Sequence, residues 1–212
     1  MHLTSAGREW LKWIALVLMT GDHVNKVLLD GAYPWLTDAA RVVFPIFAIV
    51  FVYNLRLGEE GDHGLRAATR LAIAGVVVQP FHAWAFGYWL PLNVLLSLSA
   101  GAFVCWLFSR GRWLPALLLW AFAGLWVDYS WWGIAVMAAA MTIFRPAYDR
   151  SILLLPLAVA SLAFINGNFW ALASLPLIAL FARVPGNFPR WRWTFLGYYA
   201  AHIALLAILA NY

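Results

Sequence analysis

Apolar runs separated by short polar or basic joints recur along the whole chain. They fall near residues 11–29, 39–55, 71–88, 90–108, 113–127, 131–145, 152–165, 168–182 and 193–210. None alternates apolar with polar positions as barrel strands do, so the pattern predicts helices. Helices satisfy their own backbone groups, which a segment crossing lipid requires. The expectation is an all-α polytopic membrane protein: a single transmembrane domain over residues 1–212, with about nine transmembrane helices in one bundle. Several runs are shorter than the ~20 residues of a full crossing. The pair 152–165 and 168–182 can therefore form a re-entrant hairpin, which would leave about eight crossings.

Composition agrees with the pattern. The chain is 65% hydrophobic and 11% charged, with a mean hydropathy of +0.79, whereas soluble domains carry roughly 25% charged residues. The net charge of +5 does not point to nucleic acid, because the basic residues are dispersed between apolar runs. With the N-terminus in the cytoplasm, Arg8, Lys12, Arg56, Arg66, Arg70, Arg110, Arg112, Arg145, Arg150, Arg183, Arg190 and Arg192 all fall on the cytoplasmic side, as the positive-inside rule demands. Of the 14 basic residues, only Lys26 and Arg41 fall on the outer side. Asp30, Asp38, Asp128, Asn166 and Asn168 also face outward in this topology. Cys105, the single cysteine, excludes an intrachain disulfide and a cysteine metal site. Residues 1–10 lack a basic n-region and no small-residue cleavage site follows the first run, so the first helix is expected to stay uncleaved.

The exceptions to the charge rule sit where polar residues interrupt the first apolar run. In LKWIALVLMTGDHVNKVLL, Asp22, His23, Asn25 and Lys26 fall within about one helical turn. Ionisable groups at membrane depth are costly and mark functional sites. Asp22, Asn25 and Lys26, at i, i+3 and i+4, share a helix face. His23 points ~100° away from Asp22, which argues against a dyad of the two neighbours. Asp22 is expected to pair with Lys26 or with Arg41 of the second run, while His23 faces a cavity. A purely structural ion pair joining the first two helices is the bland alternative. Later runs add Gln79 and His82 around Pro80, Asn93 at the start of the fourth, Asp128 after the fifth, and His202 midway along the last. The tryptophans read mostly as an interfacial belt. HExxH, GxSxG, P-loop and GxGxxG patterns are absent. The histidine spacing matches no metal-ligand pattern, and no metal is expected.

Several segments resemble the TraX family, integral membrane proteins associated with N-acetylation of conjugative pilin. They are LKWIALVLMTGDHVNK, RVVFPIFAIVFVYNLR, LNVLLSLSAG, VDYSWWGIAVM and GYYAAHIALL, in the family's order over nearly the full length. Ser130 and Trp131 stand where that family's Asp-Tyr turn has a glycine, and Ala200 stands in place of a proline before His202. The family is similar in logic to other membrane acetyltransferases, which take acetyl-CoA from the cytoplasm and acetylate an acceptor across the membrane. The resemblance implies the same reaction here, in a bacterial inner membrane, with a pilin-like N-terminus or a glycan as acceptor and the lipid bilayer as surroundings.

For that reaction a general base with a pKa near 7 is needed, and histidine supplies one. His23 is assigned as base, Asp22 as its charge-balancing or acceptor-fixing partner, and His202 as a second acid/base or positioning group. Arg41, Lys26, Asn25, Gln79, His82, Asn93 and Asp128 are candidates for substrate binding, with Arg41, Lys26 or Asn93 as donors to an oxyanion. Arg66, Arg70, Arg110, Arg112, Arg190 and Arg192 are candidates for the coenzyme A phosphates. This scheme requires an open path for the pantetheine arm from the inner face to His23. A proton-coupled transporter of small molecules or lipids is the rival use of the same buried groups. Such transporters often carry two matching halves, and the chain shows no repeat. A non-catalytic scaffold would leave the Asp-His cluster a needless cost.

Overall fold

The computed structural model describes residues 2–56, 62–144, 153–186, 188 and 194–211. Helices occupy every apolar run: α1 (Ser5–Leu28), α2 (Pro34–Ala40), α3 (Val43–Arg56), α4 (His63–Phe86), α5 (Val94–Ser109), α6 (Trp113–Ala123), α7 (Ser130–Ile143), α8 (Leu154–Ser161), α9 (Ala163–Asn166), α10 (Ser174–Phe181) and α11 (Thr194–Ala210). A 3-10 turn at Trp170–Ala173 precedes α10. The protein is all-α, and among the described residues no strand forms beyond an isolated bridge between Leu92 and Val127.

Local chemistry sets the boundaries. Thr4 opens α1 by accepting the Gly7 N–H at 3.0 Å. It also ties the helix start to the end of α10, donating its hydroxyl to the Val184 carbonyl at 2.7 Å. A Cβ on Gly7 would stand 2.0 Å from the Phe181 carbonyl oxygen, so only glycine permits this approach. Asn93 caps α5 by accepting the Leu95 N–H. Helix α4 reaches further back than its apolar run and takes in Arg66 and Arg70. The segments around 152–165 and 168–182 are broken helices on either side of a left-handed turn at Gly167.

Helix contacts close a ring. α1 packs on α3, α3 on α7, α7 on α5, α5 on α4, α4 on α11, and α11 on α1. α6 covers α5 and α7 from outside, and α8 and α10 lie against α7 and α1 respectively. One end of the ring gathers the start of α1, the start of α4 and the end of α5. There Arg110 meets Asp62 at 2.9 Å. The other end gathers the end of α1 and the α6–α7 joint.

The core is mainly apolar but encloses polar groups, and large apolar side chains also cover the outside. Arg8, Glu9, Asp22, Asn25, Gln79, His82, Asn93 and His202 are buried, while Ile73, Val76, Val77, Leu117, Leu118, Phe122 and Leu209 are exposed. Among the described residues one helical run, Pro34–Arg56, is long and apolar enough to cross a membrane on its own measure. Val94–Ser109, Trp113–Ala123, Ser130–Ile143 and Thr194–Ala210 are shorter apolar helices.

Candidate functional site

Inside the ring lies a cavity of about 730 Å³. Its wall follows one face of α1: Arg8, Lys12, Leu16, Met19 and His23 all line it. Steps of three or four residues keep those side chains on one side of a helix. The remaining wall comes from α3, α4, α5, α11 and the α6–α7 joint. At one end stand Arg8, Glu9, Lys12, Asn54, His63 and Arg70. At the other stand Asp22, His23, His82, Asp128 and Tyr129. Between them the wall is apolar, with Leu16, Phe47, Val50, Leu95 and Leu98.

His23 does not stand alone. Its Nδ1 lies 2.9 Å from Nε2 of His202, and the two ring planes are 7° apart with centroids 5.1 Å apart. The centroid separation exceeds the N···N distance by about two ring radii, so the rings meet edge to edge in one plane rather than stacking. Nδ1 of His202 is 3.0 Å from the Tyr198 carbonyl oxygen. That oxygen can only accept, so the His202 Nδ1 carries its proton and, in the neutral ring, Nε2 is an acceptor. The His23 Nδ1–H must then donate to it. The network leaves the His23 Nε2 with its lone pair, the form a general base requires. Edge contacts from Phe86 and Tyr199 enclose the His23 ring.

Asp22 pairs with Lys26 at 2.6 Å, which selects between the two partners expected for it. The other oxygen, Oδ1, is buried without a hydrogen bond, as is Nδ1 of His82. Asp22, His82 and His202 are each at most 8% exposed. Asp128 accepts the Tyr129 N–H at 2.9 Å. Burial pushes its carboxyl up to about 6, opposed by that hydrogen bond and by the charges of Lys26 and Arg41. Burial also raises the Tyr129 hydroxyl. Tyr129 lies flat against Phe44, with centroids 4.0 Å apart.

Other candidates take structural positions. Asn25 is fully buried off the cavity wall. Its amide spans the Tyr33 N–H and carbonyl, each at 3.0 Å, and holds the α1–α2 turn. Gln79 and Asn93 also lie off the wall. Asn93 donates to Gln79 and to the Gly75 carbonyl, each at 2.8 Å, and Gln79 donates to the Trp89 carbonyl at 2.8 Å. With its donors engaged, Asn93 has none to offer an oxyanion. Lys26 and Arg41 stand behind the wall, and Nε of Arg41 is buried without a partner. Of the arginines expected to meet phosphate, Arg70 lines the cavity, whereas Arg66, Arg110 and Arg112 are exposed outside it. Arg190 and Arg192 lie outside the described residues. In their place the cavity brings in Arg8, Lys12 and His63, which were counted only toward topology or not at all. Their signal was the run of positions 8, 12, 16, 19 and 23 on one helical face. Among the described residues, no cluster of three or more His, Cys, Asp or Glu could hold a metal ion.

Residues 7–210 match the TraX protein family. Protein TraX of Escherichia coli (strain K12) is 28% identical over 222 residues, covering 96% of this chain and 87% of that protein. A second Protein TraX of Escherichia coli is 29% identical over 220 residues, with the same coverage. An uncharacterized protein of Rickettsia prowazekii (strain Madrid E) is 26% identical over 143 residues, covering 61% of this chain and 53% of its own length. No solved structure matches the chain.

Proposed function

This chain belongs to the TraX protein family, and on that premise we propose that it is a membrane-embedded acetyltransferase. The donor is acetyl-CoA from the cytoplasm, the acceptor is an amine or hydroxyl near the outer face, and His23 is the general base. The observation that carries this reading is a continuous cavity whose wall runs from a basic end to His23. Lys12 and His23 are separated along α1 by roughly 16 Å, at about 1.5 Å per residue. That separation suits an extended arm reaching from an anionic head to a reactive thioester. The apolar outer surface and the polar groups enclosed in the core support a bundle set in a bacterial cytoplasmic membrane, N-terminus inside, with about nine crossings.

In the proposed reaction the acceptor heteroatom attacks the thioester carbonyl while His23 Nε2 takes its proton. The tetrahedral intermediate collapses and expels the coenzyme A thiolate, and the proton held by His23 passes to that sulfur. The products are the acetylated acceptor and the free thiol. His202 holds the tautomer of His23, and the Asp22 and Asp128 carboxyls lie where a cationic or hydroxylic acceptor would enter.

The test uses purified protein in liposomes with labelled acetyl-CoA and a panel of peptide amines, sugar amines and sugar hydroxyls. Transfer is expected with the native chain, and His23→Ala should lower it by about 10²–10⁴-fold. Undiminished transfer in that variant would remove His23 as base. Absence of transfer to any acceptor, combined with proton-dependent uptake, would replace the enzyme by a transporter.

A further inference from the structure

Helix α4 buries Gly75, Val78, Gln79, His82, Ala83 and Ala85, while Ile73, Val76, Val77 and Trp84 are exposed. Steps of three and four residues put the buried set on one inward face. On that face Gln79 is engaged by Asn93 and by the Trp89 carbonyl. His82 is not engaged in this way. It lines the cavity, yet its Nδ1 is buried with no hydrogen bond. Aromatic rings hold it instead, Phe86 with its centroid at 4.7 Å and Tyr88 at 5.6 Å. Phe86 also meets the His23 ring at 5.3 Å. The two histidines therefore flank one phenyl ring and line the same end of the cavity. A buried polar atom without a partner is costly, and an apolar side chain of similar size would fill the gap without that cost. Packing alone is no reason for an imidazole here. In the neutral ring one nitrogen carries the proton. On Nδ1 that N–H would be stranded among packed side chains, the rarest kind of buried polar group. The proton therefore belongs on Nε2, the nitrogen through which the ring can meet an occupant of the cavity.

We propose that His82 is the oxyanion donor of the site, its Nε2–H holding the carbonyl oxygen of the thioester. The role rests on the acyl-transfer reading, which places a carbonyl beside His23. When the acceptor attacks the carbonyl carbon, the C=O electron pair moves onto that oxygen, and a fixed N–H aimed there stabilises the charge as it develops. The pair then returns, the C–S bond breaks, and the thiolate takes the proton that His23 received. His82 keeps its own proton throughout. Other donors at this end are accounted for. His23 has its Nδ1–H on His202 and needs its Nε2 for the acceptor's proton. Asn93 is engaged, Lys26 is bonded to Asp22, and Lys26 and Arg41 stand behind the wall. In the α6–α7 joint the N–H groups of Asp128, Tyr129 and Ser130 are each bonded. Tyr129 and Tyr199 also line this end, and their hydroxyls are the controls.

The experiment measures kcat, KM and the thermal midpoint of the full chain in liposomes, with labelled acetyl-CoA and the fastest acceptor of the panel above. His82→Leu should lower kcat by about 10²–10³-fold. Its KM for acetyl-CoA should stay within about threefold of native, because the bond to the oxygen matters most in the transition state. Its midpoint should equal or exceed the native one, since the stranded nitrogen is gone. A faster-unfolding, equally active variant is what a packing role would give, and it would overturn the proposal. His82→Gln keeps an N–H donor but cannot titrate, so its kcat should stay within about tenfold of native. A Gln variant as inactive as the Leu variant would make His82 a proton carrier and refute the donor role. Native kcat in His82→Leu, with about a tenfold or greater loss in Tyr129→Phe or Tyr199→Phe, would pass the role to a hydroxyl and refute it equally. Transfer abolished by His23→Ala and untouched in His82→Leu would leave the enzyme standing without this donor. Absence of transfer by the native chain would remove the acyl-transfer reading and the donor role together.

Discussion

His23 and His202 are 179 positions apart in the chain and 2.9 Å apart in the fold. Either histidine is legible alone, as an ionisable group in an apolar run, but no periodicity within one helix can pair residues from the first and last helices. If His202 acts by fixing the His23 tautomer, an acceptor at that point should suffice. His202→Gln, whose amide oxygen can take the Nδ1–H, should keep transfer within about tenfold of native, and His202→Leu should lose about 10²-fold or more. A Gln variant as inactive as the Leu variant would mean that His202 moves protons itself. Asp128 sets a second test. Its carboxyl, raised to about 6 in the fold, lies above the ~3.9 of an unfolded aspartate. The fold thus prefers the protonated form, and the stability this lends is complete below about pH 4 and is lost as pH rises through 6. The difference between the two states corresponds to roughly 3 kcal/mol. Asp128→Asn retains the acceptor for the Tyr129 N–H, so its thermal midpoint should be higher than native at pH 7 and flatter between pH 4 and 7. Parallel curves would show that another group titrates. Ser130, next to this turn, holds a φ of 50°, beside 61° at Tyr129. Glycine adopts that conformation without strain, which suits the glycine that the TraX resemblance implies for this turn. Here the Ser130 hydroxyl instead donates to the Gly124 carbonyl at 2.7 Å.

The α4–α5 pair shows how a polar residue in an apolar run can mislead. Gln79 and Asn93 look like ligand contacts because a membrane interior gives an amide no other obvious partner. The structure supplies that partner across the helix pair. Gly75 allows the approach, since a Cβ there would stand 2.6 Å from Cγ of Leu96. Its carbonyl, the Gln79 side chain and the Asn93 amide then satisfy one another. The position of Asn93 directly before an apolar helical run is an N-cap pattern, so part of its role was legible. The partner on α4 was not, because register between helices depends on side-chain fit. Asn93→Ala removes the cap and the Nδ2 donor shared by Gln79 and the Gly75 carbonyl, while the backbone N–H of residue 93 still reaches Gln79 at 2.9 Å, at a cost of roughly 1–2 kcal/mol. Thermal unfolding in detergent should show that loss, while the transfer rate per folded molecule stays near native. A normal midpoint with a raised acceptor KM would instead return Asn93 to the substrate.

At the scale of the whole molecule, hydropathy already gave the helices, because the pattern follows from the solvent rather than from packing. The closed ring of α1, α3, α7, α5, α4 and α11 did not follow, and with it the cavity stayed hidden. A run of apolar residues says that a helix is buried or in lipid, but not which neighbour it meets. The donor reading depends on the basic end facing the cytoplasm, and the single Cys105 makes that accessible to experiment. Cys105 is 2% exposed and sits inside α5, so Cys105→Ala gives a background without a reactive thiol. Ser109→Cys then marks the basic end beside Arg110, and Ala32→Cys marks the exposed joint after α1 at the other end. With a membrane-impermeant maleimide, intact spheroplasts should label Ala32→Cys and spare Ser109→Cys. Inverted vesicles should do the reverse. The opposite pattern would turn the Arg8–Lys12–Arg70 end outward, where cytoplasmic acetyl-CoA cannot enter, and would end the proposed direction of transfer. Labelling of both positions from one side would mean that the ring does not span the bilayer, and the exposed apolar belt would need another partner.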